Sequence, residues 1–450
     1  MPKSHPILSS FKVQNFKMKK IFTPFIYLLI GFLAFSDCKK DNTGGTVIPI
    51  KVTPTKIAIN PQTTYQTIAG FGGANRMWGT QSLKPAEATK AFGLGDGELG
   101  LSIFRVRLSS NKTEWSIITE AVKEANKNGV KVLASPWSPP PALKDNNSDI
   151  RGVLLPQNYK AFKDYINEFI VYQAANGAKI DVVSIQNEPD WKPTYESCDY
   201  TADDFISFLN APGQIVGAQV AAPESLNFNQ NLTNAILSND SAAAKISIVA
   251  GHIYGGGLAK FPLAVQKKKE IWMTEYLLNL NTGNTGAAAW STYSEAAIWG
   301  ESLKMLGTVH DAMNNNWNAY IWWYLQRFYS FIGDGEQNTT NGSVLKRGYA
   351  FSHFSKYVRP GFVRIGVDVP SSSPLKITAY KKDAQTVVVI INPEAFTVKS
   401  VQLNGLSPKT VTSYTTSETA NVTKKTLTPT DNVIELDMTP NTVTTLVINN

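Results

Sequence analysis

The stretch Asp181-Val182-Val183-Ser184-Ile185-Gln186-Asn187-Glu188-Pro189 decides the fold. It is an apolar, β-branched run of strand length that ends on a carboxylate and is stopped by proline. Before it lies the amphipathic, helix-like segment Asn158 to Asn176, and before that a second short apolar run, Lys131 to Ser135. The same alternation continues on both sides. Candidate strands are Ser102 to Leu108, Gln219 to Ala221, Ser247 to Ala250, Glu270 to Met273 and Ala319 to Trp323. Helix-like stretches Ser116 to Asn128, Ala202 to Leu209 and Ser294 to Asn314 lie between them. Strands that alternate with helices build a parallel sheet, and this many repeats imply an α/β fold of the (β/α)8 TIM barrel type.

Beyond about Phe354 the texture changes to short alternating runs, as in Lys376 to Tyr380, Thr386 to Ile391 and Thr442 to Val447, which predicts a side β-sandwich. Lys51 to Asn60 has the same texture, so an amino-terminal strand is expected to join it. The expected division is a signal peptide over 1–37, a lipid-attachment site and linker over 38–50, an amino-terminal strand of the side domain over 51–66, the barrel over 67–355 and the β-sandwich over 356–450.

Residues Met18 to Cys38 carry Lys19 and Lys20, then an apolar run from Ile21 to Phe35, then Ser36, Asp37 and Cys38. That is the layout of a secretory signal, and the run is too short to span a hydrocarbon layer of about 30 Å. A cysteine closing such a segment resembles the lipid-attachment site of bacterial lipoproteins, and Lys39, Lys40 and Asp41 resemble surface-export signals. The resemblance implies lipidation at Cys38 and an outer-membrane, cell-surface location, with the lipid as the only membrane contact; simple secretion is the alternative. Asp37 stands where such sites usually have a small residue. If Cys38 is lipidated, Cys198 is left without a disulfide partner.

At 450 residues and 43% hydrophobic, the chain has ample apolar material for a large core. Its net charge of +8 is misleading: setting aside the five lysines and one aspartate of 1–37 leaves 38 of the 43 basic against 34 of the 35 acidic residues. The only remaining basic block is Lys267 to Lys269, so nucleic acid is not an expected partner. A monomer is expected. Gly95, Gly97 and Gly100 have the spacing of a dinucleotide fingerprint, but a strand follows them where the motif needs a helix, which makes them a turn. The histidines His5, His252, His310 and His353 are too scattered for a zinc signature. No metal and no cofactor are indicated.

The carboxyl ends of barrel strands face the active site, so a carboxylate directly after an apolar strand points at substrate. Glu188 meets this condition, and so does Glu275 after Ile271-Trp272-Met273-Thr274. Singly, each could be a salt-bridge partner. Together they form the pair that glycoside hydrolysis requires. Aromatic residues gather at the same strand ends, Trp137, Trp191, Tyr254, Trp322, Trp323 and Tyr324, and their flat faces suit sugar rings. One of Trp322 and Trp323 is expected in the core, because adjacent strand residues face opposite sides. Arg327, four residues past Trp323, is placed to meet an acidic group bidentately.

Ile68-Ala69-Gly70-Phe71-Gly72-Gly73, Ser135-Pro136-Trp137-Ser138-Pro139-Pro140, Ser184-Ile185-Gln186-Asn187-Glu188-Pro189-Asp190, Trp272-Met273-Thr274-Glu275 and Ala319-Tyr320-Ile321-Trp322-Trp323-Tyr324 resemble glycoside hydrolase family 30. The order matches over essentially the whole chain after the leader, most closely the bacterial glucuronoxylan endo-xylanases of subfamily 8, and Lys346-Arg347-Gly348-Tyr349 and Val358-Arg359-Pro360-Gly361 support that placement. The resemblance implies retaining hydrolysis of β-1,4-xylan, with Glu188 as general acid/base and Glu275 as nucleophile. It further implies that Asn187 holds the sugar 2-hydroxyl, that Arg105 and Tyr254 orient the nucleophile and that Trp137 is a sugar platform. Arg327, after Trp323 and Tyr324, would take the glucuronic acid branch. Tyr276 stands where these xylanases commonly have His, Gln326 where a second basic residue is frequent, and the segments 74–79 and 277–286 depart from the family pattern. Two alternatives remain: another retaining activity of the family (β-1,6-glucanase, β-glucosidase or glucosylceramidase-like), and a non-catalytic glycan-binding surface lipoprotein, which would have no need of both glutamates.

Overall fold

The computed structural model describes residues 53–278 and 289–450. The expected leader, Cys38 and the linker to residue 50 lie outside these, as does most of the departing segment 277–286. Among the described residues no helix is long and apolar enough to cross a membrane.

The first strand, β1 (Thr55–Thr67), precedes eight strands that close into a barrel: β2 (Gly70–Ala74), β3 (Ile103–Leu108), β4 (Lys131–Pro136), β5 (Val182–Ser184), β6 (Gln219–Ser225), β7 (Ile248–His252), β8 (Glu270–Glu275) and β9 (Ala319–Tyr324). They follow one another around the barrel in chain order, all parallel, and β9 returns to β2. The expected (β/α)8 barrel is therefore present. Its first strand, β2, is the one that periodicity alone does not reveal, because glycine is a poor strand former. Tertiary contact explains the glycines: a Cβ at Gly72 would lie 2.2 Å from the Ile103 carbonyl oxygen, and one at Gly73 would lie 2.8 Å from Leu325 Cβ. The Ile103 backbone at Gly72 and the Leu325 Cβ at Gly73 come too close for a side chain.

Trp272 fills the barrel interior together with Ile103, Leu133, Val182, Ile248 and Ile321, and small residues Ala221, Ala250 and Ala319 make room for its indole. Outside, helices cover the strands with apolar faces. The helix Tyr159–Ala175 buries Phe162, Tyr165, Ile166, Phe169 and Ile170, spaced three or four apart. Each large apolar side chain so buried contributes about 1.5–3 kcal/mol.

The side domain comprises β10 (Val363–Asp368), β11 (Lys376–Lys382), β12 (Gln385–Asn392), β13 (Val398–Asn404), β14 (Thr410–Thr416), β15 (Thr423–Leu427), β16 (Ile434–Met438) and β17 (Thr442–Asn449). With β1 they form one hydrogen-bonded sheet in the order β15-β14-β17-β12-β11-β10-β1-β13-β16. β1 runs antiparallel to β10 and parallel to β13, and its register shifts between Asn60 and Thr64 and again before Thr67. Such irregularities bend a strand, which lets one sheet curl around one core. Ile57, Ile59, Ile365, Val388, Ile390, Val401, Leu403, Ile434 and Leu446 share that core.

Candidate active site

Four barrel strands and the turn after a fifth deliver polar and charged groups to the carboxyl end of the barrel. β3 supplies Arg105, the turn after β5 supplies Asn187 and Glu188, β6 supplies Glu224, β7 ends on His252 and β8 ends on Glu275. β5 stops at Ser184, and the turn that follows is pinned by its backbone: Asn187 N–H donates to the Pro136 carbonyl at 2.8 Å, and Glu188 N–H to the Glu224 carbonyl at 3.0 Å. Glu188 itself has φ +46°, a left-handed conformation that costs a side-chain-bearing residue about 1–3 kcal/mol and recurs at functional sites.

Arg105 is the hub. It is fully buried, and it donates from Nη1 to Glu275 Oε2 at 2.7 Å, from Nη2 to Asn187 Oδ1 at 2.6 Å and from Nε to Glu224 Oε1 at 3.1 Å. Tyr254 donates its hydroxyl to the other Glu275 oxygen at 2.9 Å. Burial, with the nearby Glu188 charge, leaves the Glu275 carboxyl above its ordinary value, although the charges of His252 and Arg105 pull against it. With a donor on each oxygen, the geometry holds a carboxylate there.

On the opposite side, His252 Nδ1 lies 2.9 Å from Glu188 Oε1, and its Nε2 lies 3.7 Å from Glu224 Oε1. Burial alone would lower this imidazole. The charge of Glu275 and the hydrogen bonds to Glu188 and Glu224 outweigh burial and raise it to about 9. For Glu224, burial alone would raise the carboxyl, but the Arg105 charge and the His252 hydrogen bond reverse this and hold it down at about 2. One oxygen of Glu188, one of Glu275 and one nitrogen of His252 lie within 4.8 Å of one another. A metal ion could use that spacing, but it would face the Arg105 guanidinium 2.7 Å from Glu275 and a charged imidazole.

These shifts make folding stability depend on pH in a definite way. The raised His252 stabilises the fold fully below its ordinary value of 6.5, and that contribution is lost as pH rises through about 9. The depressed Glu224 stabilises the fold above its ordinary 4.5, and that contribution is lost as pH falls through about 2. Denaturant unfolding from pH 3 to pH 10 is expected to show a plateau at mildly acidic pH, with an alkaline loss of up to about 3 kcal/mol. His252→Gln should flatten the alkaline limb. A parent curve that stays level from pH 6.5 to pH 10 would refute a charged His252.

Above the glutamates lies an aromatic wall of Trp78, Trp137, Tyr195, Trp323 and Tyr324. Trp137, expected as a sugar platform, is only 2% exposed: the Arg105 guanidinium sits 4.9 Å from its ring centre, and Trp78 meets it edge-on at 5.4 Å. The half-buried faces in this wall belong to Trp78, Tyr195, Trp323 and Tyr324, while Trp137 supports them. Trp191 is half-buried beside Tyr195. The strand alternation sorts the tryptophan pair as expected: Trp322 is fully buried against Phe331, and Trp323 faces the wall, stacked on Tyr324 at 4.3 Å. Arg327 lies further out, beyond β9, paired with Asp334 and Glu336. Tyr276 packs against Tyr254 and Trp322. Cys198 is buried, which pushes its thiol up to about 12 and leaves it unreactive.

Sequence reasoning missed Glu224, His252, Trp78 and Tyr195 as members of this site. Glu224 carries the same signal as its two partners, a carboxylate at a strand end, but the strand expected over Gln219 to Ala221 ends short of it. In the structure β6 runs on through Pro223 to Ser225. His252 closes β7, and the absence of a zinc motif said nothing about its pairing with a carboxylate.

No family model matches the chain. Glucuronoxylanase XynC of Bacillus subtilis is 33% identical over 406 residues, which cover 87% of this chain and 92% of the relative. Among solved structures, the glycoside hydrolase family 30 subfamily 8 xylanase Xyn30A from Clostridium acetobutylicum superposes with a TM-score of 0.77 at 29% identity, covering 88% of this chain and all of that one. A family 30 endoxylanase from Clostridium papyrosolvens gives a TM-score of 0.75 at 27% identity, with the same coverage. The chain belongs to glycoside hydrolase family 30, and its likeness within that family is to the subfamily 8 xylanases.

Proposed function

We propose that the protein is a retaining endo-β-1,4-xylanase that cuts glucuronoxylan beside its glucuronic acid branches, with Glu188 as general acid/base and Glu275 as nucleophile. The observation that carries the reading is the approach of these two carboxyl groups, whose oxygens come within 4.8 Å. Retaining pairs stand about 5–5.5 Å apart, whereas inverting pairs need about 6.5–9.5 Å to admit a water.

In the first step Glu275 attacks the anomeric carbon, the glycosidic C–O bond breaks and Glu188 gives its proton to the leaving oxygen. In the second step Glu188, now a carboxylate, takes a proton from water; the water oxygen bonds to the anomeric carbon and Glu275 leaves with the electron pair of the ester bond. Arg105 and Tyr254 position Glu275 for attack through their two hydrogen bonds. Esterification removes the Glu275 charge, yet Arg105 is not stranded, because Glu224 remains 3.0 Å away. That buried counter-charge lowers the cost of the intermediate. Asn187, held by Arg105 at 2.6 Å, is oriented for the sugar 2-hydroxyl.

The branch specificity rests on Arg327. Removing a charge-assisted hydrogen bond to a substrate carboxylate costs about 1.5–3 kcal/mol, or roughly ten- to hundredfold. Arg327→Ala is therefore expected to lose about that much kcat/KM on glucuronoxylan and far less on linear xylan. The parent chain should release acidic xylo-oligosaccharides with one uronate at a fixed position, read by mass. Equal losses on both xylans would remove the branch-reading role, and activity confined to a neutral β-glucan would favour the β-1,6-glucanase alternative.

A further inference from the structure

Arg327 already has carboxylates on it. Its Nη1 donates to Asp334 Oδ2 at 3.0 Å and stands 3.0 Å from Glu336 Oε1. The same Asp334 oxygen takes Arg76 Nη2 at 2.9 Å. One buried carboxylate, its side chain 2% exposed, is thus shared by two guanidinium groups and neutralises only one of them. Glu336 supplies the balance from the solvent side, with its side chain 53% exposed.

The loop that carries Glu336 is built to present it. Asp334 Oδ1 accepts the Glu336 N–H at 3.2 Å, and the Glu336 carbonyl accepts Thr339 N–H at 3.0 Å and Thr339 Oγ1 at 2.8 Å. Gly335, Gln337 and Asn338 flank it in left-handed conformations, at φ +86°, +51° and +64°. Two of these three carry side chains, which makes the turn a specified shape and not a slack connection. Tyr329, beside Asp334, is hydrogen-bonded to Arg327 and helps hold the guanidinium in place.

We propose that Glu336 is an internal stand-in for the uronate carboxylate of the substrate: it occupies Arg327 while no acidic branch is bound and is displaced when one arrives. This deepens the branch-reading role of Arg327 and rests on it. An incoming uronate then exchanges one carboxylate for another, and only the difference between the two contributes to binding. Asp334 is too buried to be displaced and keeps Arg76 and Arg327 in place throughout. Glu336 therefore sets how strongly the cleft prefers acidic over neutral xylan.

The test is Glu336→Gln, which keeps the shape and removes the charge, assayed beside Arg327→Ala on glucuronoxylan and linear xylan. Exposed pairs are worth about 0.2–1 kcal/mol, so the ratio of kcat/KM on glucuronoxylan to that on linear xylan should rise about 1.4- to fivefold, mainly through a lower KM on glucuronoxylan. An unchanged ratio overturns the proposal. A lower ratio also overturns it, since Glu336 would then be aiming Arg327 at the branch. If Arg327→Ala is selective for glucuronoxylan while Glu336→Gln is silent, only this inference fails; if Arg327→Ala loses equally on both substrates, the branch-reading role fails and takes this inference with it.

Discussion

Glu275→Ala is expected to hydrolyse unactivated xylan at least about 10⁴-fold more slowly than the parent chain, the scale on which single members of a catalytic unit act. Glu188→Ala should lose about 10²–10⁴-fold, the usual worth of general acid/base catalysis. Under the proposed roles the two losses differ, because without Glu275 there is no covalent route, whereas without Glu188 the carboxylate of Glu275 is still aimed by Arg105 and Tyr254. Both variants should fold. Removing Glu275 leaves Arg105 paired with Glu224 at 3.0 Å, and removing Glu188 leaves His252 facing Glu224 at 3.7 Å, so neither change strands a buried cation. The check is initial rate on polymeric xylan beside a denaturant unfolding curve for each variant. Turnover near that of the parent in either one would end the assignment of the pair.

Arg105→Ala should act differently, on the fold as well as on the rate. Two carboxylates, Glu224 and Glu275, share that guanidinium inside the barrel, and among the described residues His252 is the only other cation of the cluster. Breaking a buried ion pair by removing one partner typically costs about 3–5 kcal/mol, because the remaining charge is left without compensation. A loss of that size in the unfolding free energy is expected, together with loss of activity as Glu275 and Asn187 lose their common donor. Arg105→Lys should recover part of the stability but little of the rate, since an ammonium cannot contact Glu224, Asn187 and Glu275 with the fixed fork of a guanidinium. An Arg105→Ala chain as stable as the parent would show that the cluster tolerates two adjacent buried carboxylates, and it would undo the electrostatic account of the site.

The linear chain made the two strand-end glutamates and the barrel legible, for related reasons. A parallel strand buried on both faces reads as a continuous apolar run, and a polar residue at its carboxyl end stands out against that run, as Glu188 and Glu275 do. The β-domain was legible from its period of two. β2 was not, because Gly72 and Gly73 are there for what presses on them, the Ile103 carbonyl and Leu325, and those contacts are remote in sequence. Glu224 stayed hidden because the strand expected over Gln219 to Ala221 ends short of it, and the closed barrel carries the strand on through it. Tertiary structure alone decided that Trp137 lies under Arg105 and not open to a sugar, and that Arg327 arrives already paired with Asp334 and Glu336. Burial and charge compensation are properties of neighbours in space. The chain states which groups are present and at which strand ends, but the charge each group keeps and the surface it shows are set only when residues far apart in sequence are brought within a few ångströms.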